Sequence, residues 1–130
     1  MRQHQREELA DLAVIAMREG GLEPFFSNAV KSQLEKISGP SDEGGAHIQD
    51  LRALPWCSID NDDSRDLDQL TACEPMADGA VKVFVAVADV GAVVAKGSAI
   101  DEHARINTTS VYTAARIFPM LPERLSTDLT

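Results

Sequence analysis

Five aspartates stand within nine residues, at Asp60, Asp62, Asp63, Asp66 and Asp68 of the segment Asp60-Asn61-Asp62-Asp63-Ser64-Arg65-Asp66-Leu67-Asp68. Carboxylates at this density repel one another unless they spread into solvent or share a cation. Hard divalent ions such as Mg²⁺ take oxygen ligands, keep several waters and need only a few carboxylates from the protein. In a turn, residues six and eight positions apart can converge on one ion, and this segment offers more ligands than such an ion uses. A metal held there would polarise a phosphoryl oxygen and lower the pKa of an attacking water, and two ions roughly 3.5–4 Å apart would clamp both oxygens of a phosphodiester cleavage. Two other readings stand beside this one. Asp60-x-Asp62-x-Ser64 fits the opening of an EF-hand calcium loop, although Arg65 falls where that loop requires Gly and Thr71 where it requires Glu. A run of like charge is also the composition of a solvated turn.

The elements around the loop follow from periodicity. Residues 5–19 spell a helix with Leu9, Leu12, Ala13, Ala16 and Met17 on one stripe, ended by Gly20-Gly21. Ser27 caps a second helix to about Lys36, with Val30, Leu34 and Ile37 on its apolar side. Ser38-Gly39-Pro40-Ser41-Asp42-Glu43-Gly44-Gly45 is a linker by composition. Cys57-Ser58-Ile59 reads as a short strand entering the acidic loop, and Gln69 to Cys73 as a strand leaving it. Asp78-Gly79 marks a hairpin turn. Val81 to Val90 is the strongest strand pattern, with Val81, Val83, Val85 and Val87 on one face and Phe84, Ala86 and Ala88 on the other, so both faces are candidates for burial. Ser98 caps a helix from about Ile100 to Ile106. Val111 to Ile117 suggests one more strand, ended by Phe118-Pro119-Met120-Leu121-Pro122. The sheet expected from these has three or four strands, with no later helix to cover its second face, as if the chain were the front of something longer.

Composition sets the bounds. The 130 residues are 44% hydrophobic and 25% charged, a globular balance able to bury a core, with few aromatics. The formal net charge of −9 argues against a free-standing electrostatic RNA binder. Cys57 and Cys73 give neither a zinc signature nor a disulfide framework and read as reduced thiols. No apolar run approaches the roughly 18 residues that span a bilayer, and the amino terminus has no signal-peptide core. The chain therefore reads as cytoplasmic, with no membrane partner.

The flanks of the acidic loop add a resemblance. Leu54-Pro55-Trp56-Cys57-Ser58-Ile59-Asp60 through Asp68 is similar to the segment that opens the catalytic domain of RNase II/RNB exoribonucleases, Ile-Asp followed by five variable residues and Asp-x-Asp-Asp. Val85-Ala86-Val87-Ala88-Asp89-Val90, Lys96-Gly97-Ser98-x-Ile100-Asp101, Thr109-Ser110-Val111-Tyr112 and Pro119-Met120-Leu121-Pro122-Glu123-Arg124-Leu125-Ser126 resemble later family segments, in order. The likeness covers about residues 48–130. The front helices resemble, more weakly, the linker region of bacterial members.

The resemblance implies an α+β fold, with a helical amino-terminal region and linker over 1–46 and a partial RNB catalytic domain over 47–130. It implies processive 3′→5′ hydrolysis of single-stranded RNA to nucleoside 5′-monophosphates with Mg²⁺, or Mn²⁺ in its place, and no role on DNA. By position, Asp60, Asp66 and Asp68 match three of the family's four metal-site carboxylates, and Asp68 matches the one most directly tied to catalysis. Tyr112 matches an aromatic that stacks on RNA near its 3′ end, a role that stacking on any base supports; an ordinary strand tyrosine is the alternative. Two departures stand out. Gln69 occupies the fourth carboxylate position, where an amide oxygen can ligate or orient a water but brings no charge. The family's domain also continues several times further, so the isolated chain is expected to show weak or no turnover. The competing function is a non-catalytic interaction or regulatory module built from the same domain.

Overall fold

In the computed structural model, which describes residues 3–39, 45, 47–62, 64 and 68–129, helix α1 runs Gln3–Glu19. It ends where Gly21 takes a φ of 77° and the Leu22 N–H returns to the Met17 carbonyl at 2.9 Å, a left-handed exit that glycine adopts without steric cost. The covered stripe is not the expected one. Ala10, Ala13 and Val14 are half-buried and Met17 is buried, at i, i+3, i+4 and i+7, whereas Leu9, Leu12 and Ala16 are exposed, Leu12 at 60%. Met17, the buried member of this face, lies beside the turn that follows the helix. The larger leucines lie one step around the helix.

Ser27 stands in extended conformation before α2 (Asn28–Lys36), and its hydroxyl accepts from the Val30 N–H at 3.3 Å. Val30 is fully buried, with Leu34 and Ile37 half-buried on the same side, as the spacing requires. Residues 40–44 of the expected linker lie outside the described residues.

Strands β1 (Gln69–Pro75) and β2 (Val81–Val87) pair antiparallel, with Gln69 opposite Val87, Thr71 opposite Val85 and Pro75 opposite Val81. Their hairpin is closed by the Met76 N–H on the Ala80 carbonyl at 2.8 Å, Gly79 at φ 84°, and the Asp78 carboxylate accepting from the Ala80 N–H at 3.0 Å, an Asx turn of the kind expected at Asp-Gly. The expected strand at Cys57-Ser58-Ile59 reduces to one bridge, Cys57 opposite Thr71, and Ile59 is 94% exposed. β2 stops at Val87 rather than Val90. There the Asp89 carboxylate accepts from the Ala92 N–H at 3.2 Å and turns the chain into a short 3₁₀ helix, Val90–Ala92; a local side-chain bond of this sort competes with the ladder. Only one face of this hairpin is covered. Phe84, Ala86 and Ala88 are half-buried, and Ala72 on β1 is buried, but Val81, Val83, Val85 and Val87 are 59–68% exposed, against the expectation that both faces are covered.

Helix α3 (Ala99–Asn107) starts on Ser98, whose hydroxyl accepts from the Asp101 N–H at 3.4 Å. The Asp101 carboxylate reaches back to the Gly97 N–H at 2.7 Å, a variant of the reciprocal capping box. α3 packs on α2, with the Ile100 N–H donating to Gln33 Oε1 at 3.0 Å. The expected strand over Val111 to Ile117 is instead a tight hairpin of β3 (Val111–Tyr112) and β4 (Ile117–Phe118). Thr113 folds it: its hydroxyl accepts from the Arg116 N–H at 3.0 Å and donates to the Arg116 carbonyl at 2.6 Å. The result is two separate two-stranded sheets among the described residues, not one of three or four strands. A short helix, α4 (Glu123–Thr127), follows Pro122 with Leu125 buried.

The chain divides into two compact units. The first comprises Met1–Ser38 with Val94–Glu123, and its core holds Met17, Val30, Ile100 and Phe118; the second comprises Gly39–Val93 with Arg124–Thr130, with Ala72, Leu125 and Leu129 buried. Burying the Met, Val, Ile, Leu and Phe side chains among these stabilises by roughly 1.5–3 kcal/mol each. Among the described residues no helix is long and apolar enough to cross a membrane.

Candidate metal-binding loop and nucleic-acid surface

The acidic loop is fixed at its base by the backbone. The Cys57 N–H donates to the Thr71 carbonyl at 2.9 Å and the Thr71 N–H returns to Cys57 at 2.8 Å, closing the chain between them into one loop. Trp56 holds the entering segment: its indole N–H donates to the Leu51 carbonyl at 2.9 Å, and its ring meets Phe84 edge-on at 6.4 Å. On the exit side the Asp68 carbonyl accepts from the Ala88 N–H at 2.8 Å, which ties the residue before β1 to the residue after β2. Asp60 therefore stands three residues beyond one tether and Asp68 beside another, both exposed. A turn with the Ser64 N–H on the Asn61 carbonyl at 3.0 Å lies between them.

Asp60, Asp62, Asp68 and Gln69 all belong to the second unit, and Asp60, Asp62 and Asp68 are exposed. Gln69 is exposed as the first residue of β1. Asp66, with Asp63, Arg65 and Leu67, lies outside the described residues. Among the described residues no three His, Cys, Asp or Glu side chains form a group that could hold a metal. The donors that are described, three carboxylates and an amide, are all oxygen and suit a hard cation in chemical type.

Tyr112 belongs to the first unit. It lies on β3 opposite Ile117 and is 69% exposed. The turn of the same hairpin carries an arginine that sequence reasoning did not single out. The Arg116 guanidinium sits 5.0 Å from the Phe25 ring centroid and 5.3 Å from that of Phe118. The Arg6 guanidinium donates to the carbonyl of Ala115, the preceding residue, at 3.4 Å.

A buried polar cluster in the first unit also went unforeseen. The Glu23 N–H donates to Asn107 Oδ1 at 2.8 Å, which fixes the orientation of the amide. Asn107 Nδ2 then donates to the Glu23 carbonyl at 2.9 Å and to His103 Nε2 at 3.1 Å. His103 Nε2 is thereby the acceptor, and Nδ1 carries the proton given to the Glu23 carboxylate at 2.9 Å. Phe26 covers the imidazole at 4.6 Å. A His and an Asn four apart on a helix give no sign of this partner 80 residues earlier. Elsewhere, the Asp50 carboxyl is held far below the usual carboxylate range, chiefly by side-chain hydrogen bonds from Arg52 at 2.9 and 2.7 Å.

Comparison with known proteins puts these features in a family. The RNB domain profile matches residues 48–130. The chain is 37% identical to Ribonuclease R of Escherichia coli K12 over 116 residues, 88% of this chain and 14% of that protein. It is 33% identical over 139 aligned positions to Exoribonuclease 2 of Salmonella arizonae, covering 99% of this chain and 22% of the relative. A solved structure of Mycoplasma genitalium RNase R in complex with double-stranded RNA superposes with a TM-score of 0.74 at 31% identity, over 85% of this chain and 20% of that one. The chain thus spans under a quarter of the length of each, and its mixed helix-and-strand fold is shared with RNase R. On these matches the chain belongs to the RNase II/RNB exoribonuclease family, residues 48–130 being RNB-domain sequence.

Proposed function

We propose that this chain carries the acidic metal-binding part of a hydrolytic 3′→5′ exoribonuclease that degrades single-stranded RNA to nucleoside 5′-monophosphates in the cytoplasm. The observation that carries the reading is the acidic loop of an RNB-domain sequence, tethered by the Cys57–Thr71 bridge and the Ala88–Asp68 bond. Asp60 and Asp68, with Asp66 by sequence position, would hold Mg²⁺, or Mn²⁺ in its place. Such an ion supplies Lewis-acid activation of the phosphodiester and of water. The chain's own contribution is to present the carboxylates on a backbone loop fixed at both ends. The exposed Tyr112 offers a stacking face to a base regardless of its identity. Gln69 would orient a water through its amide oxygen without adding charge, so the metal would be held less tightly than by four carboxylates.

The test is titration of the 130-residue chain with Mg²⁺ and Mn²⁺, followed by NMR of the 57–71 segment, alongside an RNA degradation assay. Binding is expected at the loop, with turnover of single-stranded RNA absent or very slow. Asp68→Asn should weaken the metal response and remove any turnover; unchanged turnover in that variant refutes the site assignment. Gln69 in the fourth ligand position and the exposed valines of β2 favour one second reading, a non-catalytic interaction module. That reading predicts a partner whose binding is untouched by Asp60→Asn and Asp68→Asn.

A further inference from the structure

We infer that Arg116 is a phosphate-binding residue for an RNA backbone, a role that rests on the reading of this chain as an RNA-binding one. Arg52 is hydrogen-bonded to Asp50 and Arg105 to Glu102. The Arg116 guanidinium has no carboxylate or carbonyl partner among the described residues. It is exposed, and two phenylalanine rings lie within 5.3 Å of it. Rings at this distance attract the cation through their faces and limit the rotamers of a side chain that otherwise loses much entropy on binding. They leave the fork of guanidinium N–H donors without an oxygen partner among the described residues, and that fork matches two oxygens of a phosphodiester. In a chain of net charge −9 an unpaired, held guanidinium is a local reversal of sign. The Arg6 guanidinium on the carbonyl of Ala115 adds a second positive charge to the same turn. Tyr112 stands on the strand that enters this turn, opposite Ile117, the residue that follows Arg116. An aromatic stacking face and cationic donors on one narrow ribbon are the two components of single-strand recognition without base preference.

The simpler role for such a side chain is to cover Phe118, which is buried, with its aliphatic stem. Arg116→Met keeps that cover and removes the charge, so it separates the two. The experiment is fluorescence anisotropy of a labelled twelve-nucleotide oligouridylate with the full 130-residue chain, over a series of salt concentrations, after confirming an unchanged melting temperature. Arg116→Met should weaken binding about tenfold, the size of one charge-assisted hydrogen-bonded contact. It should also reduce the slope of log affinity against log salt by about 0.7, the value for one phosphate on a single strand. Arg116→Lys should retain the slope and lose part of the affinity. Tyr112→Ala should weaken binding and leave the slope unchanged, because stacking releases no counterions. Wild-type binding with Arg116→Met unchanged in affinity and slope overturns the role of Arg116 and leaves the RNA-binding reading standing. A wild-type chain that binds no oligouridylate overturns both.

Discussion

Replacing Asn107 with alanine tests whether the buried polar cluster holds the first unit together. Asn107 is 1% exposed and serves three groups: it accepts from the Glu23 N–H, donates to the Glu23 carbonyl and donates to His103 Nε2. Alanine is the better helix former, so propensity does not add to the cost. The substitution strands the Glu23 peptide groups and the imidazole nitrogen. An unsatisfied buried donor or acceptor costs about 1–3 kcal/mol. Glu23 is an exposed residue whose two peptide bonds to Asn107 are part-buried, so its peptide groups regain some bonding from water, while His103 is buried and regains none. The sum is about 2–4 kcal/mol, a large share of the roughly 5–15 kcal/mol that holds a domain folded. For a chain of this length that lowers the melting temperature by about 6–16 °C. His103→Phe removes the second end of the cluster but keeps the ring contact with Phe26, and it should cost about 1–2 kcal/mol. The double variant should cost less than the two singles summed, because both act through one 3.1 Å bond. The assay is thermal unfolding by circular dichroism with hydrogen exchange of the Glu23 amide. A melting shift under about 2 °C for Asn107→Ala, or strict additivity in the cycle, refutes the clamp.

Three further outcomes follow from local geometry. Thr108 ends α3 at φ 56°, a left-handed conformation costly for a β-branched residue, so Thr108→Gly should raise stability by about 1 kcal/mol and melting by a few degrees. Ser27→Ala and Ser98→Ala should each cost about 1 kcal/mol by removing a capping acceptor, read by the same melts. Asp50 should remain ionised at pH 3 in the folded chain and titrate near the ordinary 3.8 in Arg52→Ala, followed by NMR of its carboxyl carbon. Its folded value is depressed, so its stabilising effect is present above 3.8 and is lost as pH falls through the folded value; full exposure keeps that effect small.

The local signals were legible because they act within a few residues. Ser27, Ser98, Gly21 and Asp78-Gly79 each do in the structure what their types allow, since caps and turns are settled by one side chain and its neighbouring peptide. The acidic loop was equally plain, as charge density needs no partner to be noticed. Misreadings came where two local preferences compete. Thr113 could have continued a strand, but its hydroxyl closes a turn with Arg116. Asp89 could have ended β2 in extended form, but its carboxylate captures the Ala92 N–H. Hydropathy favoured both ladders, and in each case a short side-chain bond prevailed.

What periodicity could not supply is the choice among faces. On α1 the stripe richest in leucine is solvent-facing, and the stripe built on Ala10, Ala13, Val14 and Met17 is the covered one. On β2 the valine face is the more apolar, and it is the face left open. In both cases the covered face is the one whose far end is tied down: Met17 by the Leu22 return bond, and Phe84 by the edge of Trp56, itself pinned through Leu51. The Trp56 tether also holds the entrance of the acidic loop, so core packing and the position of that loop share a residue. Trp56→Phe would keep the ring edge on Phe84 but lose the bond to the Leu51 carbonyl. If that bond positions the loop, the variant should stay folded while the loop's response to Mg²⁺ weakens. An unchanged titration would mean that the Cys57–Thr71 bridge alone sets the entry of the loop.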